Sequence, residues 1–464
     1  MQQDSHQGAS MAIEFIYIDR DTPSLLPASV HDYISQDHLA RFIVDIVSQL
    51  DLSEIVSQYT GRGSKPWPPS MMVSLLFYGY ATGVFSSRKL EHASHDSLAF
   101  RYICAGLHPD HDSIATFRRR FAKPLATCFL QILLIARTMG ALKLGTVSLD
   151  GTKVKANASR NRALSWAHAN KLEEQLKHEV AELMRMSEAA DNTPLTDDID
   201  IPAELARREE RLAAIAMARQ EIQRRADERH ACEVAEYEEK MARRKQREEE
   251  TGNKPGGKVP KPPAGKATPR PKDQVNLTDE ESRIMPSRGG FEQAYNAQVA
   301  VDIESYLVVE NHITQAPNDK REVEPALEKL STLPDQLGKP EAILADTGYC
   351  SADNVELCEA AGITPCFAQA RQKHNQPLLE RFGPDPDLPD DDATAFARMQ
   401  HRMKTKDGKA LYARRKCTVE TVIGIIKHVL GFRAFSMRGL DLAQAEWSIV
   451  CSAWNLKRMH ALMG

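Results

Sequence analysis

Apolar residues recur at three- and four-residue intervals through "HLARFIVDIVSQL", "PPSMMVSLLFYGYATGV", "SRKLEHASHDSLAFRYICAGL" and "ATCFLQILLIARTMGAL", which predicts an all-helical unit over residues 30–140. The period then shortens. "GTVSLDGTKVKA", "FEQAYNAQVAVDI" and "YLVVENHIT" read as strands, "NDKREVEPALEKLSTL" as a helix, "EAILADTGYCS" as a strand, "SADNVELCEAAG" as a helix and "ITPCFAQA" as a strand. A long helix near 410–430 closes the series. The expected fold is an α/β core preceded by an all-α N-terminal domain.

Between the first and second strands lies a segment that the core cannot absorb. Residues 165–190 and 203–249 are rich in charge, with a thin apolar stripe at Leu172, Leu176, Val180 and Leu183 and at Leu205, Leu212, Ile215 and Ile222. Two helices joined by "DNTPLTDDIDIP" are expected, forming an inserted antiparallel hairpin arm. Pairing with each other or with another subunit would bury the stripe, and both readings stand. The stretch that follows, "TGNKPGGKVPKPPAGKATPRPKD", has the composition of a flexible basic Pro/Gly linker. The expected division is therefore 1–140 helical, 141–164 with 286–464 catalytic core, 165–250 arm and 251–285 linker.

A chain of 464 residues exceeds what one hydrophobic core usually supports, and 42% apolar residues suffice for two or three domains. No apolar run reaches transmembrane length and "MQQDSHQGASMAIEF" lacks the apolar region of a signal peptide, so a cytoplasmic protein with no membrane partner is expected. The eight cysteines include no Cys-x-x-Cys pair, which argues against a disulfide framework or structural zinc and for buried thiols. A net charge of −4 conceals ten Lys or Arg between 402 and 438 against Asp407 and Glu420, just after the acidic "GPDPDLPDDD". Such a block is either a solvated face or a surface for a polyanion. In "HPDHDSIATFRRRF", Asp112 is a plausible N-cap, and Arg118, Arg119 and Arg120 either face DNA or are ordinary surface cations.

Three acids carry the candidate chemistry. Asp150 and Asp346 fall at the ends of expected strands, where each could simply cap a turn. Glu420 lies on the long helix "YARRKCTVETVIGIIKHVLGF". Side chains at strand ends and on a crossing helix can converge, and three converging carboxylates call for hard divalent cations such as Mg²⁺. Two such ions about 4 Å apart support phosphoryl transfer. At 100° per residue, Lys416, Gly424 and Lys427 project within about 40° of Glu420, beside an apolar face of Val419, Val422, Ile423, Ile426 and Leu430. That face suits a phosphodiester, although Lys416 and Glu420 also make an ordinary i, i+4 pair. Trp447 and Trp454 read as core residues.

"SLDGTKVKANAS", "ESRIMPSRGGFEQAYNAQVAVD", "ADTGYCS" and "ALYARRKCTVETVIGIIKHVLGFRAFSMRGL" together resemble successive blocks of the DDE transposases of bacterial insertion sequences, and the helical region with "PDHDSIATFRRRF" is similar to the domain preceding them. The resemblance implies a ribonuclease H-like mixed sheet core, a catalytic and metal-binding triad of Asp150, Asp346 and Glu420, and two Mg²⁺ ions for which Mn²⁺ can substitute. It also implies terminal inverted repeats and target DNA as double-stranded partners, and a homodimer on DNA. The signature Tyr-x2-Arg-x3-Glu-x6-Lys is met at Glu420 and Lys427, but Lys416 holds the arginine position, with Tyr412 and Arg415 each displaced by one. Whether Lys416 or Arg415 meets phosphate stays open, and Arg414 belongs to the same basic group. "NDK" at 318–320 and Tyr349 resemble neighbours of the family's site, though Asp319 could equally cap the next helix. A nuclease of the same fold that does not join DNA, or a DNA-binding scaffold with structural acids, would carry many of the same features.

Overall fold

The computed structural model describes residues 15–19, 29–61, 65–190, 200–253, 256–287, 289–369, 384–390 and 392–464. They fall into two units, Met1–Ala156 with Met285–Gly464, and Asn157–Ile284. The strands in chain order are β1 (Thr146–Lys155), β2 (Ala163–Ser165), β3 (Gln274–Asn276), β4 (Arg283–Ser287), β5 (Gly290–Asp302), β6 (Val308–Thr314), β7 (Ala342–Ala345) and β8 (Thr364–Phe367). The principal helices are α1 (Leu39–Val47), α2 (Pro69–Thr82), α3 (Ser87–Asp96), α4 (His111–Arg120), α5 (Ala122–Thr138), α6 (Trp166–Ala190), α7 (Ile201–Thr251), α8 (Val323–Ser331), α9 (Ala352–Ala360), α10 (Lys406–Gly424) and α11 (Leu440–Met463).

The first unit is built on a mixed sheet. β1 pairs antiparallel with β5, β5 antiparallel with β6, β1 parallel with β7, and β7 parallel with β8, while β4 is hydrogen-bonded to β5. β5 is buried along nearly its whole length, as a strand covered on both faces requires. The expected order of strands and helices in the core is present, and β4 is an addition to it. β1 also runs further than expected: its pairing with β5 continues from Val147 to Lys155, so Asp150 lies inside the strand and not at its end. The parallel partner β7 accompanies β1 only over Thr146–Ser148. Asp150 therefore emerges where β1 outruns β7.

The N-terminal helices share this unit with the sheet and do not separate from it at residue 140. The reason lies in α2, which is apolar around its whole circumference and so needs cover on every side. α11 supplies part of that cover, packing against α2, α5 and β6. Pro69 opens α2 and Gly83 closes it at φ +83°, where an added Cβ would stand 2.7 Å from the Leu430 carbonyl oxygen. Trp447 and Trp454 are core residues, their indole N–H groups donating to the carbonyls of Gln298 (3.0 Å) and Tyr306 (2.9 Å). Cys232 and Cys417 are exposed, so buried thiols describe only part of the set.

The second unit is the arm. α6 and α7 bury Ala169, Leu176, Ile215, Ala218 and Ile222 against each other, together with Leu164 and Val275 from the short β2–β3 pair. Intramolecular pairing thus covers much of the stripe. Asp200 caps α7 by accepting from Ala203 N (3.1 Å), and Arg208 reaches Glu179 across the hairpin (2.8 Å). The connection over 191–199 lies outside the described residues. Part of the stretch expected as a flexible linker is instead tied to α7. β3 lies within it, His230 contacts the Ala264 carbonyl and Gln223 donates to the Ala267 carbonyl (3.3 Å), so long polar side chains meet carbonyls of a segment with few ladder bonds of its own.

Candidate functional site

Three elements bring three acids to one cation. Asp150 comes from β1, Asp346 follows the last residue of β7, and Glu420 projects from α10, whose Thr418, Val419 and Val422 are buried. At their centre is Arg415, only 5% exposed. Its guanidinium stands 2.9 Å from Asp150 Oδ2, 3.8 Å from Asp346 Oδ2 and 2.8 Å from Glu420 Oε1, with the first two contacts on the same nitrogen. Arg415 was a phosphate-contact candidate from sequence; the structure engages it with the acids themselves. A planar fork on a long side chain can reach carboxylates on several elements at once.

Electrostatics at the site are unbalanced, with three carboxyl groups against one guanidinium. Burial pushes the Asp150 carboxyl up to about 6, Asp346 and Glu420 add to the rise, and Arg415 and the Gly151 N–H oppose it. The Gly151 amide donates to Asp150 Oδ1 at 2.8 Å, and Gly348 N donates to Asp346 Oδ1 at 2.8 Å. Tyr412 is half-buried within electrostatic range of Arg415 and all three acids, and burial raises its hydroxyl above the ordinary range. Among the described residues, no three His, Cys, Asp or Glu side chains form a ready-made metal cage. The donor chemistry nevertheless fits a hard cation: the oxygens already converge on a positive group, and two negative charges remain in excess.

The basic candidates divide. Lys416 is exposed on α10. Lys427 lies in a π-helical turn, Ile425–Val429, which changes the angular register after Gly424, and its ammonium donates to Thr152 Oγ1 and the Lys153 carbonyl, each at 2.8 Å. Arg414 is partly exposed and pairs with Glu304, also donating to the Ile303 carbonyl (3.1 Å). Arg119 and Arg120 are exposed on α4, Arg120 lying over the rings of Tyr59 and Phe121. Arg118 does not face solvent: it is 7% exposed and donates to the Tyr80 hydroxyl (3.1 Å) and Phe85 carbonyl (2.8 Å), because its position on α4 points into the helical core. The N-cap of α4 is Asp110, accepting from Ser113 N (2.8 Å), two residues before the expected Asp112, which lies inside the first turn.

Asp319 makes no side-chain cap on α8. Its carboxylate turns toward β1 and β5 and accepts from Asn296, Gln298 and Lys153. Sequence reasoning missed Asn296 and Gln298, which fall in a strand that reads only as a buried run; a polar amide at a fully buried strand position was the available signal.

Residues 28–120 match the transposase domain family DUF772, and residues 259–456 match the transposase DDE domain. Asp346 and Glu420 fall inside the second span. Asp150 lies in neither, so its place beside them rests on the geometry around Arg415. No curated protein and no solved structure gives a significant match. Among the described residues no single helix is long and apolar enough to cross a membrane. With a transposase domain at its N-terminal end and a transposase DDE domain at its C-terminal end, the chain belongs to the DDE transposases of insertion sequences.

Proposed function

We propose that this transposase cleaves transposon ends and joins them to target DNA by metal-dependent phosphoryl transfer, with Asp150, Asp346 and Glu420 as the catalytic acids on a ribonuclease H-like core. One observation carries the reading: acids from β1, the loop after β7 and α10, remote in sequence, all reach the same guanidinium. The mixed sheet, in which antiparallel strands continue into two parallel ones, supports the proposed core.

The three carboxylates would hold Mg²⁺ or Mn²⁺ as two ions, and bound metal would supply Lewis-acid activation of the attacking oxygen and stabilisation of the leaving oxygen. The chain's own residues do the rest. Arg415 draws the acids together and screens their repulsion. The Gly151 and Gly348 amides orient one oxygen of each aspartate. Exposed Lys416, Arg119 and Arg120 are placed to neutralise phosphates of double-stranded DNA, with Arg414 and Lys427 able to join by exchanging their internal partners. Binding should then weaken steeply with salt. Two ends cut and joined together call for a homodimer on DNA, acting in the cytoplasm.

Pre-cleaved transposon-end DNA mixed with a target plasmid and Mg²⁺ tests the reading. Joined product is expected, and Asp150→Asn should lower it by about a thousandfold or more with DNA binding retained. Cutting without joining would assign a nuclease. A wild-type protein inert with both Mg²⁺ and Mn²⁺ would assign a DNA-binding scaffold.

A further inference from the structure

A buried chain of hydrogen bonds crosses the sheet beside the acids. Gln298 on β5 is the register partner of Gly151 and is fully buried. Its Nε2 donates to Asp319 Oδ1 at 2.7 Å, and its Oε1 accepts from the Tyr349 hydroxyl at 2.5 Å. The amide can take only one orientation here, because the Asp319 carboxylate accepts and cannot donate. Asn296 Nδ2 (2.6 Å) and Lys153 Nζ (3.4 Å) hold the same Asp319 oxygen, so the far end of the chain is fixed.

The near end is the segment carrying Asp346. Tyr349 follows Asp346 by three residues, is fully buried, and has its carbonyl held by Asn354 Nδ2 at 2.7 Å. Gly151 makes the crossing possible: a Cβ there would run into Gln298 Nε2 and stand 2.8 Å from Asp319 Oδ1. The glycine directly after Asp150 thus leaves room for an amide that reaches the other aspartate's loop.

We infer that Gln298 is a positioning residue for Asp346, acting through Tyr349, and that Gly151 and Asp319 serve the same bridge. The inference rests on the proposed role of the acids as ligands of a divalent cation. Gln298 contacts none of the three acids through its side chain in the contacts above; it sets where the loop places one of them. Partners behind a ligand commonly change metal affinity by about 10–100-fold when removed.

Calorimetric titration of the full-length protein with Mn²⁺, without DNA, separates the possibilities. Gln298→Ala, Tyr349→Phe and Gly151→Ala should each weaken Mn²⁺ binding by about 10–100-fold, and raised Mn²⁺ should recover cleavage by the Tyr349→Phe protein. In an Asp346→Asn background, Tyr349→Phe should weaken binding no further, whereas a purely structural loss would not depend on that background. Tyr349→Phe removes a single oxygen and carries the test if Gln298→Ala does not fold. If Asp150→Asn and Asp346→Asn weaken Mn²⁺ binding while Tyr349→Phe binds like wild type, the positioning role is overturned and the metal reading stands. If Asp150→Asn and Asp346→Asn both bind like wild type, the metal reading itself falls.

Discussion

Charged residues behave differently in the two units. On α7 many form short-range pairs along the helix, as where Glu221 accepts from Arg224 (2.6 Å) and Arg225 (2.7 Å), beside a few that cross the hairpin, such as Arg208 with Glu179. In the sheet-bearing unit several charged groups are themselves buried: Arg415 among acids from three elements, Arg118 with Tyr80 and Glu446, and His312 between Glu310 and Glu322. The first arrangement needs only a helix. The second needs the whole tertiary structure, because a buried charge without its partner carries a desolvation penalty of several kcal/mol. The short-range pairs on α7 therefore decorate a fold, while the buried charges around the sheet constrain it.

The sharpest break in this comparison is at Arg118. Glu446 is fully buried, accepting from Tyr80 (2.9 Å) and from Ser436, and Arg118 completes the set through the Tyr80 hydroxyl. Arg118→Met should destabilise the protein by about 3–5 kcal/mol in urea unfolding, and pairing it with Glu446→Gln should return part of that loss. A loss under about 1 kcal/mol would place Arg118 with the surface charges of the arm.

His312 gives the next largest effect, through pH. Burial pushes its imidazole down, but the Glu310 charge and hydrogen bonds to Glu310 (2.8 Å) and Glu322 (3.1 Å) outweigh that and raise it to about 9. The folded pKa lies above the ordinary 6.5, so its contribution is complete below about pH 6.5 and is lost as pH rises through about 9. Urea unfolding between pH 6 and 10 should show a decline on the order of 3 kcal/mol, absent in His312→Gln.

The smallest effect belongs to the arm. Hydrogen bonds from Arg224 and then Arg225 depress the Glu221 carboxyl to about 2, giving a contribution present above about pH 4.5 and lost as pH falls through about 2. After discounting for the solvent around Arg224, Glu221→Gln should cost no more than about 1 kcal/mol near neutrality, read by amide hydrogen exchange along α7 in the whole protein.

The contrast also explains what could be read from the chain alone. Apolar periodicity is a local property, so β1, β5, β6, β7, β8 and the arm helices were legible in order, and Asp150, Asp346 and Glu420 could be picked out as acids on neighbouring elements. The short β2, β3 and β4 lack a pattern long enough to register. Arg415 was visible as a cation out of step with the family signature, but its contacts depend on three segments meeting. Arg118 looked like its neighbours Arg119 and Arg120, since one residue of helical rotation separates a core position from a surface one. The π-turn at Ile425–Val429 likewise carries no mark in a helical wheel, yet it redirects Lys427 to β1.

The short β2–β3 pair at the base of the arm bears on how the sheet assembles. β1 and β5 are adjacent strands, yet Lys155 and Ala294 face each other across the whole inserted segment. Once Ala163 is zipped to Asn276, that segment is cinched off as a local hairpin, and only the brief stretches on either side remain to be closed. Loop-closure entropy grows with the span left free, so a three-residue ladder lets a nascent chain carry a long insertion without greatly delaying its central strand pairing.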